Sequence, residues 1–125
     1  MAKKILIADD DTTIRDLIRK TLELEEARFE IYEAQSGNIA LEMARIIKPQ
    51  LILLDVMMPG MSGYEVCRNL KDSPETKDIC VVFLTGRRSE MSRQTIESCG
   101  GDDFMTKPFN LNVLMHKVKK FLGPV

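Results

Sequence analysis

Leu51-Ile52-Leu53-Leu54-Asp55 is a run of four aliphatic side chains closed by an acid, with Pro49 just upstream and the loop-forming Pro59, Gly60 and Gly63 downstream. A strand with one wet face alternates apolar and polar residues, whereas a strand covered on both faces is apolar throughout. The segment therefore reads as a strand of a parallel sheet sandwiched by helices. It delivers Asp55 at its carboxyl end.

Working outward, Ser36 can cap a helix carrying Ala40, Leu41, Ala44 and Ile47. That helix stops before Pro49 because the residue preceding a proline is pushed out of the helical region. On the other side, Ser62 with Glu65 three residues on is a capping-box signal for the next helix. Ile79 to Thr85 is a second buried strand of the same kind. Lys4 to Asp9 is a short apolar run followed by Ile14, Leu17, Ile18, Thr21 and Leu22 at helical spacing, with Asp11 or Thr12 as the N-cap. Phe29, Ile31 and Tyr32 mark another strand. A polar helix is expected from about Ser89 to Cys99, broken by Gly100-Gly101, and Asp103 to Thr106 makes a short fifth strand. Beyond Pro108, Asn110 can cap a last helix with Leu111, Leu114, Met115, Val118 and Leu122 on one face, ended by Gly123-Pro124. Five strands and five helices in strict alternation call for an α/β fold, a doubly wound parallel sheet with helices on both faces.

The 125 residues suit one domain, residues 1–125, with 44% hydrophobic and 30% charged residues. A net charge of −1 offers no broad attraction for nucleic acid or anionic membranes, so direct nucleic-acid binding is disfavoured. No stretch approaches the roughly 20 apolar residues of a membrane span, which argues against insertion. The apolar run Ile5 to Ala8 is too short for a signal-peptide core of about 7 to 15 residues, leaving the cytoplasm as the expected compartment. Cys67, Cys80 and Cys99 show neither paired spacing nor a zinc pattern, and read as reduced thiols. His116 stands alone beside a helical stripe and reads as structural or solvent-facing.

In doubly wound sheets ligands bind outside the carboxyl ends of the strands. Asp9 and Asp10 end the first strand, Asp55 the third, Thr85 the fourth and Lys107 the fifth. Any one of these could be turn chemistry; the conjunction at successive strand ends is harder to assign to turns. If the first and third strands are neighbours, three carboxylates converge, and their repulsion calls for a proton or a divalent cation. All-oxygen ligands suit a hard ion such as Mg²⁺. Lys107 and Thr85 are the groups that would hold the oxygens of an incoming phosphoryl group. A carboxylate flanked by a metal and an ammonium suits phosphoryl transfer, which points to an aspartyl phosphate.

These residues resemble a response-regulator receiver domain of two-component signalling, chemotaxis-regulator-like, along essentially the whole chain. The likeness lies in Ile5-Leu6-Ile7-Ala8-Asp9-Asp10-Asp11, in Leu53 to Gly60 with Gly63, in Leu84-Thr85-Gly86, and in Gly101 to Phe109. It implies the flavodoxin-like strand order 2-1-3-4-5, for which a chemotaxis member of this family is itself a standard example. It makes Asp55 the phosphoacceptor, with Asp9 and Asp10 the metal-binding acids and Met57 a further ligand through its backbone carbonyl. Lys107 becomes the phosphate partner, preceding Pro108 through a cis bond, Thr85 the switch hydroxyl and Phe104 the switch aromatic. Met57 and Arg87 take the two variable positions that influence dephosphorylation.

The function so implied is a phosphorylation-dependent switch rather than a turnover enzyme on external substrates. A histidine kinase or histidine phosphotransfer protein would be the donor. Output would pass to a downstream effector through the fourth helix, fifth strand and fifth helix, roughly Arg88 to Cys99, Asp103 to Thr106 and Asn110 to Leu122, with room for a phosphorylation-dependent homodimer. A receiver fragment of a larger regulator or hybrid kinase is the alternative. A haloacid-dehalogenase-like phosphatase is disfavoured, because its second acid, two residues after the nucleophile, is replaced by Met57. A flavin or nucleotide site is disfavoured because Asp9-Asp10-Asp11 would repel phosphates. A receiver serving only as a binding scaffold is disfavoured by the presence of Asp55, Thr85 and Lys107.

Overall fold

The structure is a computed structural model that describes residues 2–25, 29–86 and 93–123. Ten elements alternate along the chain: β1 (Lys3–Ala8), α1 (Thr12–Glu23), β2 (Phe29–Ala34), α2 (Gly37–Ile47), β3 (Leu51–Asp55), α3 (Gly63–Lys71), β4 (Cys80–Thr85), α4 (Arg93–Cys99), β5 (Asp103–Thr106) and α5 (Leu111–Leu122). The five strands form one parallel sheet in the order β2-β1-β3-β4-β5.

All five residues of β3 are buried, as its unbroken apolar run requires. Their side chains alternate between two cores. Ile52 and Leu54 join Leu6, Val81 and Phe83 under α2, α3 and α4, where Ala40, Val66, Cys67, Leu70 and Ile96 close the layer. Leu51 and Leu53 join Ile5, Ile7, Val82, Leu84 and Met105 under α1 and α5, against Ile18, Leu22, Leu114 and Val118. The period of two along each strand thus supplies two independent layers.

Caps explain most of the helix boundaries. Asp11, rather than Thr12, is the N-cap of α1 and accepts from the Thr13 amide. Ser36 and Ser62 cap α2 and α3 through the amides of Ile39 and Glu65, and Asn110 caps α5. α5 ends at Gly123 with a φ of 81°, and Gly100 turns α4 into β5 with a φ of 83°. One boundary differs from the sequence reading. β4 begins at Cys80, because the Ile79 amide is already taken by the Thr76 carbonyl in a turn. α4 is described over Arg93–Cys99, and the start expected at about Ser89 lies outside the described residues, as does Arg87.

Cys67 and Cys99 are buried and Cys80 is half-buried, all three as free thiols. Burial pushes Cys67 up to about 12 and raises Cys80 as well. No helix among the described residues is long and apolar enough to cross a membrane.

Candidate functional site

The strand order sets the carboxyl end of β1 beside that of β3, and Ala8 is level with Leu54, so Asp9 and Asp55 come next to each other one step on. Asp9, Asp10 and Asp55 each contribute a carboxylate oxygen to a group lying within 4.8 Å of one another. Their burial is unequal. Asp9 is 0% and Asp55 5% exposed, while Asp10 faces solvent.

Each of three consecutive aspartates has a separate local task. Asp9 Oδ1 accepts from the Asp11 amide at 2.9 Å, closing an Asx turn that bends the chain out of β1. Asp11 caps α1. Asp10, between them, is left to point at the cluster. On β3, Asp55 Oδ1 accepts from the Met57 amide at 3.2 Å. Met57 is 70% exposed, and its contact with the cluster is through this backbone amide.

The loop after Asp55 is held on two sides. Gly63 packs on the Asp55 carbonyl so closely that a Cβ would overlap it, and Gly37, opening α2, packs still more closely on the Met61 carbonyl. Asn38 Oδ1 accepts from the Met61 amide at 3.1 Å.

Lys107 follows β5 and reaches back across the sheet end. Its Nζ lies 2.6 Å from Asp9 Oδ2 and 3.4 Å from Asp55 Oδ2. Its own amide donates to the Thr85 carbonyl at 2.7 Å, and the Lys107–Pro108 bond is cis. Thr85 is buried one residue past Leu84, the register partner of Asp55. Phe104 is half-buried, in register with Phe83 and packed against the α2/α3/α4 core. It also lines an open cleft of about 260 Å³ with Pro108, Phe109, Val113 and Lys117, to which none of the three carboxylates contributes. Phe104 is therefore not in the cluster, and Thr85 sits on the strand between them.

The electrostatics follow from burial. Desolvation, then the neighbouring charge of Asp9, push Asp55 up to about 6, with Lys107 and the Met57 amide pulling the other way. Burial pulls Lys107 down, but the close contact with Asp9 and the charges of both carboxylates outweigh it, and its pKa ends above the usual lysine value. One cation is thus shared by two buried acids with a third acid nearby.

A divalent cation fits these residues on an observation of the site itself. Asp9 Oδ2 is buried and has as its partner among the described residues only the Lys107 ammonium at 2.6 Å, which leaves a carboxylate oxygen with capacity for a further positive ligand. The donors are all oxygen, the set that suits Mg²⁺.

Arg15, Glu33 and Asn38 escaped the sequence reading. Arg15 Nη1 donates to the Asp9 carbonyl at 2.6 Å and its Nε to Glu33 at 3.0 Å. Only the β1–β2 register, with Ala8 level with Ala34, brings Glu33 there, and no local pattern signals it.

A response regulator receiver domain family model matches residues 5–119. The chain is similar to the chemotaxis protein CheY4 of Vibrio cholerae, with 28% identity over 97% of this chain and 99% of that one and a TM-score of 0.87. It is similar to a putative response regulator from Chloroflexus aurantiacus J-10-fl, with 29% identity over 99% and 100% of the two chains and a TM-score of 0.88. It is also similar to the signal receiver domain of a signal transduction histidine kinase from Syntrophus aciditrophicus, with 34% identity over 97% and 90% and a TM-score of 0.83. Such domains are signalling switches rather than metabolic enzymes, and they work with histidine kinases and downstream effectors. The chain belongs to the response regulator receiver domain family.

Proposed function

We propose that residues 1–125 act as one receiver domain that takes a phosphoryl group onto Asp55 in the presence of Mg²⁺ and relays the change to a partner. The observation that carries this reading is the meeting of Asp9, Asp10 and Asp55 with Lys107 at the carboxyl edge of the sheet.

Asp9, Asp10, an Asp55 oxygen and the Met57 carbonyl are the groups that would hold Mg²⁺. When bound, the ion supplies positive charge that lets an anionic phosphoryl group approach a carboxylate. Asp55 is the nucleophile: one carboxylate oxygen bonds to phosphorus as the donor's phosphorus–nitrogen or phosphorus–oxygen bond breaks, and the electron pair leaves with the donor. Lys107 is already within 3.4 Å of Asp55 and pairs with a phosphoryl oxygen as the charge of Asp55 is converted to an acyl phosphate. Thr85 donates its hydroxyl to another phosphoryl oxygen. The displacement of Thr85 leaves room that Phe104 fills, which alters the face made by α4, β5 and α5. The donor is a histidine kinase or histidine phosphotransfer protein, the recipient of the signal a protein docking on that face. A phosphorylation-dependent homodimer would use the same face.

Intact-mass measurement after incubation with acetyl phosphate tests the assignment. One phosphoryl group should add to wild type with Mg²⁺ and none to Asp55→Asn, and excess chelator should abolish labelling. Equal labelling of wild type and Asp55→Asn sinks it.

A further inference from the structure

Asp10 is the one member of the carboxylate cluster that burial does not hold. It faces solvent, and among the described residues its carboxylate makes no hydrogen bond or ion pair. Its direction is set by the backbone, above all by the plane of the Asp9–Asp10 peptide, since a peptide unit moves as a rigid plate. The carbonyl of that peptide is the one that Arg15 holds at 2.6 Å.

Arg15 is well anchored for that task. Its side chain is 12% exposed, its Nε is 3.0 Å from Glu33 Oε1, and its Nη2 is 3.3 Å from Thr12 Oγ1. Glu33 is gripped a second time through Oε2 by Arg19 Nε at 2.7 Å, and Arg19 Nη2 reaches the Ile31 carbonyl at 3.3 Å. The Asp9 amide donates to the Ala34 carbonyl at 3.1 Å. The residue that opens the acidic turn is therefore strapped to β2 at both ends of its backbone, by the sheet at its N–H and through Arg15 and Glu33 at its C=O. The planar guanidinium can serve both partners at once because its donors diverge in a fixed fork.

We propose that Arg15, locked by Glu33, is a positioning residue for the cation site: it fixes the Asp9–Asp10 peptide so that the exposed Asp10 carboxylate is aimed at Asp9 and Asp55. This rests on the reading of those three acids as the Mg²⁺ ligands. The arrangement separates geometry from charge. A guanidinium beside an anionic site repels a divalent cation, and Glu33 offsets that repulsion, so the strap holds the turn without cancelling the field of the three acids.

The two contributions have opposite signs in one substitution. Arg15→Met deletes both the strap and a positive charge. If charge alone counted, Mg²⁺ would bind more tightly; if Arg15 only stabilised the fold, the melting temperature would fall with Mg²⁺ affinity unchanged. Positioning requires weaker binding, by about tenfold or more, as for other groups that orient metal ligands. Arg15→Lys keeps the charge but has its donors on a single nitrogen and cannot span both partners, and should fall between wild type and Arg15→Met. Glu33→Gln loosens the anchor and leaves the guanidinium charge unbalanced, so it too should weaken binding.

Amide-resolved NMR titration of the full chain with Mg²⁺ measures these affinities, and hydrogen exchange of the Asp11 amide without metal measures the turn itself. The Asp11 amide, which donates to Asp9 Oδ1, should lose protection in Arg15→Met more than amides of β3 do. Mg²⁺ binding by Arg15→Met within twofold of wild type, or tighter, overturns the proposal, as does unchanged relative protection of Asp11. Should Arg15→Met fail to fold, Arg15→Lys and Glu33→Gln decide by the same readouts. If wild type itself fails to bind Mg²⁺, the metal reading fails, while the metal-free exchange of Asp11 still decides whether Arg15 holds the turn.

Discussion

Asp55 is where burial and chemistry meet most directly. Its carboxyl titrates at about 6 in the folded chain, against an ordinary value near 4 once unfolded. Between those values the folded chain keeps a proton that the unfolded chain has released. The contribution of this group to stability is therefore lost as pH rises from about 4 through 6. Glu33 behaves oppositely. Burial raises it, but bonds from Arg19 and Arg15 outweigh that and leave it lowered, so its contribution is present above its unfolded value and lost as pH falls. Comparison with Asp55→Asn isolates the first effect. A cation at the site competes with the proton, so the gain in urea midpoint on adding Mg²⁺ should be larger at pH 7.5 than at pH 5 in wild type and much smaller in Asp55→Asn. An equal gain at both pH values would remove Asp55 from the titration.

At the scale of elements, the segment between β3 and α3 is placed by the start of α2 rather than by its own sequence. Gly37 lies against the Met61 carbonyl, and Asn38 takes the Met61 amide. Gly37→Ala should therefore shift this loop and destabilise the chain by about 1–3 kcal/mol, the usual cost of overpacking. Its amide shifts should cluster at Val56 to Gly63, and shifts confined to α2 would refute the clamp. A second joint ties α3 to β4 and β5: Asp102 Oδ2 accepts from the Val81 amide at 2.8 Å and pairs with Lys71 Nζ at 3.3 Å, while Lys71 also donates to the Ile79 carbonyl at 2.7 Å. Asp102→Ala strands the Val81 amide, and chemical denaturation should show a loss of about 1–3 kcal/mol.

For the molecule as a whole, the parallel sheet and both cores were legible because β3 and β4 carry no polar interruption from Leu51 to Leu54 and from Val81 to Leu84. The acids at the strand ends were legible for the same reason, as polar residues that close apolar runs. Their adjacency was not, since it depends on β1 lying between β2 and β3, an order suggested by family likeness rather than by periodicity. The Arg15–Glu33–Arg19 network is a product of that same adjacency and so had no local signature. Long-range coupling should run along β4, which joins Asp55 at Leu84 to β5 at Phe83 and Thr85. Beryllofluoride, a mimic of the phosphoryl group, should perturb amides of α4, β5 and α5 in wild type but only the cluster in Thr85→Ala. Identical distant changes in both would disprove this route.

The thiols have a practical side. Cys67 and Cys99 are sealed in the core and Cys80 is half-covered, with the pKa values of Cys67 and Cys80 raised. Thiolate-seeking reagents at neutral pH should pass over all three while the chain is folded. The α3–β4 connection lies at the opposite end of the sheet from the acids, and its Glu75 is exposed. Glu75→Cys should accordingly accept a single maleimide dye under native conditions, with further adducts only in denaturant. That offers a clean anchoring point for a fluorophore or a surface, oriented with the carboxyl edge of the sheet facing outward to solution.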